Sequence, residues 1–205
     1  MATDWDTFLD GCRKMHRAHA ANPYDSLFAV VHTAAEMLRD RGCADVSCVT
    51  TDPGELRARI EAQEPVVDGS PHPRTGVFLL PVDRVSVKQV RNVLRDYPAM
   101  DSVVLVSLEG PTSFAKKEVE ATCRGRVHFF TFKELTYNVT KHHLVPHHRL
   151  APLATAAAFD PTRLPKLLAT DPVARHYDFR SGQVVEIDRV FDVLATKYYR
   201  VVVDA

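Results

Sequence analysis

Four histidines stand close together near residue 145 and could form a metal site: His142, His143, His147 and His148. His143 and His147 are four residues apart, a spacing that puts two imidazoles on one face only in a continuous helix. Pro146 lies between them and would cost such a helix about 3 kcal/mol. Neither a cysteine nor a carboxylate lies within residues 141–150 to complete a tetrahedral site. The pattern therefore favours hydrogen-bonding or surface histidines over a metal centre.

A metal-dependent nuclease is the main enzymatic alternative for a chain of this kind. Such enzymes commonly place an acidic residue on one strand and an acidic-x-Lys pair on the next, so that the carboxylates hold the metal and the lysine orients water. No Asp or Glu in this sequence is followed by Lys two positions later. The sequence argues against nuclease chemistry.

Nucleophilic catalysis also lacks its usual residues. Cys43 and Cys48 flank a predicted strand in an apolar context, which is more typical of packed cysteines than of an activated thiolate. Neither a Gly-x-Ser-x-Gly segment nor a glycine-rich phosphate loop occurs. We therefore predict no catalytic residue, no metal and no cofactor, and a protein that is not itself an enzyme.

One turn has the composition of a phosphate contact. Residues 110–117 (GPTSFAKK) include the hydroxyls of Thr112 and Ser113 and the amines of Lys116 and Lys117 at a predicted helix start. A helix N-terminus offers free backbone N–H groups and a positive dipole end, which suit phosphate. A plain solvated helix cap accounts for the same residues, so the motif alone leaves both interpretations open.

Helices and strands alternate before residue 140, which favours an α/β layer with a partly parallel sheet. The apolar spacing predicts strands at 46–49, 76–82, 102–108 and 127–132, with a turn-rich loop at 65–75. It also predicts helices at 5–20, from an N-cap at Asp25 or Ser26 to Gly42, at 52–62, after Ser86, and from Thr112 or Ser113 to about 123.

The elements become shorter after residue 140. The sequence predicts a short Ala-rich helix at 151–158 and strands at 184–187 and 198–203. We therefore expect an α/β domain over 1–140 and a compact α+β domain over 141–205. The second is close to the lower size limit for independent stability, so its dependence on a partner is expected.

Composition restricts how the protein can meet nucleic acid. Lys+Arg and Asp+Glu both total 26, so the formal net charge is zero. Because phosphate contacts supply most of the affinity of nucleic-acid-binding proteins, any DNA contact should be local or shared with a charged partner. The four cysteines form no C-x-x-C pair, and the sequence has neither a signal peptide nor an apolar run of about 18 residues. We expect a soluble, intracellular protein with free thiols.

The tail carries a series of motifs that resembles a known family. The segments are 142–150 (HHLVPHHRL), 164–167 (LPKL), 171–177 (DPVARHY) and 180–187 (RSGQVVEI), and near the front 27–42 ends in a similar Arg-Gly stop. In this order and spacing they resemble the common fifth subunit of the nuclear DNA-dependent RNA polymerases, whose tail domain has a counterpart in the archaeal enzyme. The sequence departs from that family at 151–163, which is shorter and Ala-rich, and at 190–196.

The resemblance implies a non-catalytic, nuclear polymerase subunit that forms no homo-oligomer. Its front would be a jaw domain with an inactive nuclease-like fold, which contacts downstream double-stranded DNA through Thr112, Ser113, Lys116 and Lys117. Its tail would be the assembly domain, docked on the largest subunit and near the smaller ones. The implied interface residues are His143, Leu144, Val145, Pro146, Asp171, Pro172, Val173, Arg180, Gly182, Val184, Tyr199 and Arg200.

Two other interpretations stay open at this point. The chain could be a degenerate nuclease-fold module of another DNA-processing complex, or an enzyme of unrecognised type. Copurification separates the first of these from a polymerase subunit, because only the latter should bring down the large catalytic subunits.

Overall fold

The computed structural model describes residues 5–15, 22–48, 52–70, 74–123, 125–191 and 194–204. Its contacts divide the chain into two units, Met1–Tyr137 and Asn138–Ala205. The division falls beside residue 140, where the sequence predicts a domain boundary. Among the described helices, none is long and apolar enough to cross a membrane.

The N-terminal unit alternates helices and strands as the sequence indicates. Its helices are α1 (Trp5–Met15), α2 (Pro23–Asp40), α3 (Pro53–Ala62), α4 (Val87–Asp96), α5 (Ser113–Thr122) and α6 (Phe132–Leu135). Its strands are β1 (Asp45–Cys48), β2 (Val67–Ser70), β3 (Thr75–Leu79), β4 (Arg84–Val85), β5 (Ser102–Ser107), β6 (Gly110–Pro111) and β7 (Val127–Thr131).

Five of these strands form a mixed sheet in the order β1-β2-β3-β5-β7. The β3, β5 and β7 strands are parallel, whereas β2 runs antiparallel to both β1 and β3. Successive residues of β5 point to opposite faces: Val104 packs in a core with α1, α2, α3 and α6, and Leu105 in a core with α4 and α5. Both faces are therefore covered by helices, and this explains why β3 and β5 are almost entirely apolar.

Side-chain caps fix where the helices begin. The predicted caps of α3 at Asp52 and α4 at Ser86 are confirmed, and Thr112 rather than Ser113 caps α5. The prediction of Asp25 or Ser26 as the cap of α2 is wrong. Asn22 takes that place because its side chain accepts a hydrogen bond from the Tyr24 backbone, while Asp25 completes a capping box.

The predicted loop at 65–75 is a second error, because it contains strand β2. Gly69, one of the residues of that predicted loop, lies within the strand. A Cβ atom there would approach Cys43 Sγ to 2.7 Å and Leu38 Cδ2 to 2.8 Å. The glycine thus serves close packing of β2 against α2. The predicted helix at 5–20 ends at Met15, and the rest of that prediction lies outside the described residues, as does position 49 of the first predicted strand.

The C-terminal unit has a mixed α and β architecture. Its elements are β8 (His147–Leu150), α7 (Leu153–Ala157), β9 (Lys166–Leu168), α8 (Pro172–Tyr177), β10 (Val184–Phe191) and β11 (Leu194–Val203). The sheet order is β8-β10-β11-β9, with β9 parallel to β11 and the other pairs antiparallel. One face packs its apolar residues against α8, and this small core contains Leu167, Ala174, Phe179, Val185, Ile187 and Val202.

Candidate docking surface and nucleic-acid interface

The turn that enters α5 is held by backbone and side-chain hydrogen bonds. The Thr112 backbone N–H donates to the Val85 carbonyl at 2.9 Å, and Thr112 Oγ1 accepts from the Ala115 backbone N–H at 3.2 Å. Ser113 is exposed. Because Thr112 is the cap, its hydroxyl oxygen is occupied by the hydrogen bond from the first turn of the helix. The hydroxyl of Ser113 faces solvent instead.

Both lysines of this helix start, Lys116 and Lys117, are exposed. Lys116 Nζ lies 3.9 Å from Glu120, an exposed pair of the kind that contributes about 0.3–0.5 kcal/mol and leaves the cation largely available. Lys117 is exposed as well. Glu118 is engaged by Arg91 at 2.5 Å, which ties α5 to α4. The four residues predicted to contact DNA therefore lie together at the start of one helix.

An aromatic side chain on the same turn was missed from the sequence. Phe114 is 79% exposed, although a phenylalanine is normally expected in a core. It lies between Ser113 and the buried Ala115. No periodic signal could have identified it, because one exposed residue does not alter the apolar stripe of α5.

A preformed turn in the C-terminal unit presents Leu144 to solvent. The Leu144 N–H donates to His142 Nδ1 at 3.2 Å, and the Val145 N–H donates to the His142 carbonyl at 2.8 Å. The His142 ring stacks on His143 at 4.6 Å between centroids. These contacts fix the backbone, and Leu144 is left 75% exposed. This isobutyl group is held in water on an ordered turn, and we call Leu144 on this turn the knob.

His148 lies behind this turn on β8 and is buried. Its Nδ1–H donates to the Pro146 carbonyl at 2.6 Å. Burial lowers the pKa of His148 below its ordinary value, so the ring is neutral at physiological pH. His147 is also on β8, so His143 and His147 do not share a helical face. Within the described ranges, no group of three or more His, Cys, Asp or Glu side chains could hold a metal.

Several residues in the predicted interface instead support the fold. Asp171 caps α8 by accepting from the Val173 backbone N–H at 2.8 Å, and Val173 is buried. Gly182 has φ of +89°, a conformation that favours glycine, and its N–H donates to the Val202 carbonyl. Val184 is buried as well, whereas Arg180 is exposed.

The remaining predicted interface residues lie at the sheet. The Tyr199 ring packs on Phe159 at 4.7 Å between centroids, and the Arg200 guanidinium donates to the Lys166 carbonyl at 3.4 Å. Of the predicted set, the residues that are exposed are therefore His143, Leu144, Pro172, Arg180 and Gly182.

Comparison with known proteins identifies the unit that carries this knob. Residues 137–202 match the family model described as RNA polymerase Rpb5, C-terminal domain. The chain is thus similar to the fifth subunit of the RNA polymerases. The matched range covers the whole predicted interface and begins at the border between the two units.

Individual relatives extend the similarity toward the front of the chain. DNA-directed RNA polymerase subunit 5-like protein 1 of Arabidopsis thaliana is 27% identical over 197 residues, covering 84% of this chain and 92% of that protein. DNA-directed RNA polymerases I, II, and III subunit rpabc1 of Dictyostelium discoideum is 30% identical over 125 residues, covering 55% of this chain. That match spans a little under two thirds of the Dictyostelium protein, 63%.

The fifth-subunit-like domain also contains a buried carboxylate that sequence reasoning missed. Glu186 is only 3% exposed and lies on the sheet face opposite α8, where it accepts hydrogen bonds from Arg149, from Lys197 Nζ at 3.0 Å and from Tyr199 at 3.1 Å. Asp188 accepts from Arg149 at 2.8 Å. The alternation of the sequence VVEID was the available signal, since it puts Glu186 and Val184 on the same face.

These contacts hold the pKa of Glu186 below its ordinary value, chiefly through the hydrogen bond from Lys197. A carboxylate with a lowered folded-state pKa stabilises the fold above its unfolded pKa. That contribution is lost as the pH falls through the folded value. At neutral pH these hydrogen bonds of Glu186 to Arg149, Lys197 and Tyr199 therefore join the side chains of β8, β10 and β11.

Proposed function

We propose that the chain is a non-catalytic subunit of a nuclear RNA polymerase whose C-terminal unit docks on the largest subunit. The observation that carries the proposal is the exposure of Leu144 on a hydrogen-bonded turn within the range that matches the polymerase family. Burying a leucine side chain contributes about 1.5–3 kcal/mol. Because the turn is already ordered, little conformational entropy is lost on docking. Arg180 and His143 would add polar contacts near the smaller subunits.

For the N-terminal unit, we propose a jaw with a nuclease-like fold that has no active site. The mixed five-stranded sheet covered by helices on both faces supports this, as does the absence of an acidic-x-Lys pair from the sequence. Such a unit would contact DNA within the assembled complex and would catalyse no reaction itself. A degenerate nuclease-fold module of another complex remains the second candidate, and no observation favours it over the polymerase.

The first turn of α5 is the part of this jaw that would approach downstream duplex DNA. Ser113, the exposed lysines and the backbone N–H groups of the helix start can reach phosphates without reading bases. The contact would therefore be independent of sequence and sensitive to salt. The zero net charge of the chain predicts little DNA binding by the free subunit.

Separating the two units tests the assembly role. A chain that lacks residues 138–205 is expected to lose copurification with the largest polymerase subunit, whereas one that lacks residues 1–137 should retain it. The reason is that the docking knob and the family match both lie in the second segment. The measurement is quantitative mass spectrometry of tagged pull-downs. Normal recovery of polymerase by the N-terminal segment alone would show that the assembly role is misassigned.

Removing the two lysines of α5 tests the DNA contact. Lys116→Ala with Lys117→Ala should weaken the grip of the assembled complex on downstream duplex and lower its salt slope by about two, since each lysine neutralises about one phosphate. Assembly should be unchanged. Affinity for duplex is measured across a salt titration of the purified complex.

The control is Lys14→Ala with Lys133→Ala, which removes the same charge from exposed positions on α1 and α6. A photo-crosslinker at position 113 in an elongation complex gives an independent readout. If the control pair changes the salt slope as much as the α5 pair, or if position 113 labels only protein, this turn is not the DNA contact.

A further inference from the structure

The N-terminal unit contains a cleft that none of the proposed roles uses. Its volume is about 510 Å³, and it lies among the start of α1, the end of α3, the turn after β3 and the first turns of α4. Trp5, Ile60 and Val82 contribute apolar surface. Binding sites for small molecules have volumes of about 300–1,000 Å³. The cleft is therefore large enough for a few residues of polypeptide and too small for a packed helix.

Carboxamides dominate the polar part of this lining. They belong to Gln63, Gln89 and Asn92, and a carboxamide has an acceptor oxygen and a donor NH₂ group. Gln89 is held in place because its Oε1 accepts from the Ser86 backbone N–H at 2.7 Å and from Ser86 Oγ at 3.0 Å, so its NH₂ group is the part that can pair with a ligand. This chemistry complements the alternating N–H and C=O groups of an extended chain. A helical segment satisfies its own backbone groups and would leave these amides without partners.

Gln63 occupies a backbone conformation that is unfavourable for its residue type. It is the C-cap of α3 with φ of +56°, in the left-handed region where glycine is the usual residue. Its backbone N–H closes the helix by donating to the Ile60 carbonyl at 3.2 Å, which a glycine could do equally well. Gln63 therefore brings a carboxamide to the wall of the cleft from a backbone position that glycine would occupy with less strain.

The charges of the cleft argue against a nucleotide or another anionic ligand. Lys88 and Glu61 both line it, and Glu61 also accepts from Arg57 at 2.8 Å. Among the described residues of the lining, this one cation and this one anion balance, so they provide no cationic surplus with which to hold phosphate. An uncharged ligand fits it better.

We propose that this cleft binds a short, uncharged, extended segment of a partner protein, with an apolar side chain of that segment against Trp5 and backbone groups paired to the three carboxamides. The proposal does not depend on the polymerase assignment, because it concerns the N-terminal unit alone. The Trp5 ring is set by packing, with Phe8 at 5.6 Å between ring centroids and the Arg57 guanidinium 5.1 Å from the Trp5 centroid.

The test uses the fact that Trp5 is the single tryptophan of the sequence. The full chain is titrated with a positional library of N-acetylated, C-amidated hexapeptides that lack Trp, Tyr and charged residues, and the Trp5 emission is followed. We expect a saturable emission change with peptide subsets that carry a central leucine, isoleucine or phenylalanine. Inorganic phosphate and adenosine monophosphate serve as the anionic probes and should give no saturable change.

Two variants separate binding from folding. Gln63→Gly should keep or raise the Tm because it relieves the left-handed strain, yet it should weaken peptide binding about threefold to tenfold through the lost amide contacts. Asn92→Ala should weaken binding to a similar extent. Phe114→Ala, outside the cleft, should leave the Kd unchanged.

Three results would each overturn the proposal. The first is the absence of a saturable change with every peptide subset. The second is a response to the anionic probes in place of the peptides. The third is a wild-type peptide Kd in both Gln63→Gly and Asn92→Ala.

Discussion

Phe8→Ala is expected to lower the free energy of unfolding of the N-terminal unit by about 3–5 kcal/mol. Phe8 is fully buried and packs edge-on against Phe132 with ring centroids 5.4 Å apart. It thereby joins α1 to α6 across the larger core. Truncation removes that apolar contact and leaves a cavity that the surrounding helices and sheet can fill only in part.

The measurement is urea unfolding followed by backbone circular dichroism and by the emission of Trp5, which lies next to Phe8. Phe114→Ala is the matched control, because the same atoms are removed from an exposed ring and the expected change is within about 0.5 kcal/mol. If both variants unfold at the same urea concentration as the wild type, α1 is not part of the cooperative core.

Leu144→Asp is expected to release the chain from the polymerase without unfolding it. The variant removes the apolar burial proposed for the knob, about 1.5–3 kcal/mol, and adds a charge that would have to lose water on docking. Together these correspond to at least a tenfold weaker association. The side chain is exposed in the free chain, so the Tm should change little. Recovery of the largest subunit with a tagged variant measures the effect.

Leu153→Asp is the matched control for this experiment. Leu153 is 87% exposed on α7 of the same unit and lies outside the predicted interface. It should copurify with polymerase as the wild type does. Full recovery of the polymerase with Leu144→Asp would contradict the docking role of the turn before β8. Loss of the polymerase with Leu153→Asp, but not with Leu144→Asp, would place the docking surface on α7.

The elements that could be predicted from sequence are those with strong local signals. Ser86 and Asp52 mark helix starts through capping chemistry that requires only neighbouring residues. Residues 103–106 of strand β5 are an unbroken apolar run, which is typical of a strand buried on both faces. The parallel arrangement of β3, β5 and β7 then follows from the helices between them.

The missed strands are those whose signals are not local. Strand β8 contains His147 and Arg149, and it exists because it pairs with β10, more than thirty residues away in sequence. Strand β9 has three residues and is a strand only through its parallel pairing with β11. Strand β2 lies in a segment whose composition is turn-rich, and its Gly69 is a point of close packing. The local preference of a segment for strand structure does not reveal which distant strand or helix it packs against.

The candidate site was predicted only in part for similar reasons. Thr112, Ser113, Lys116 and Lys117 are brought together because a helix start is a local feature. For the proposed docking surface, the motifs indicated a segment, but only the structure distinguishes the exposed Leu144 on its hydrogen-bonded turn from buried residues such as Val173. The burial of Glu186 depends on Arg149, Lys197 and Tyr199, which lie on the two strands that flank its own.

The central claim is that this chain is a constituent of an RNA polymerase, and the most direct measurement is its stoichiometry in that enzyme. Polymerase is purified from the source cells through a tag on its largest subunit, washed at high salt, and quantified by mass spectrometry with labelled standard peptides. The account predicts that the chain is present in equimolar amount with the largest subunit of at least one nuclear polymerase. Its absence from every such preparation, with the other small subunits retained, would contradict the account.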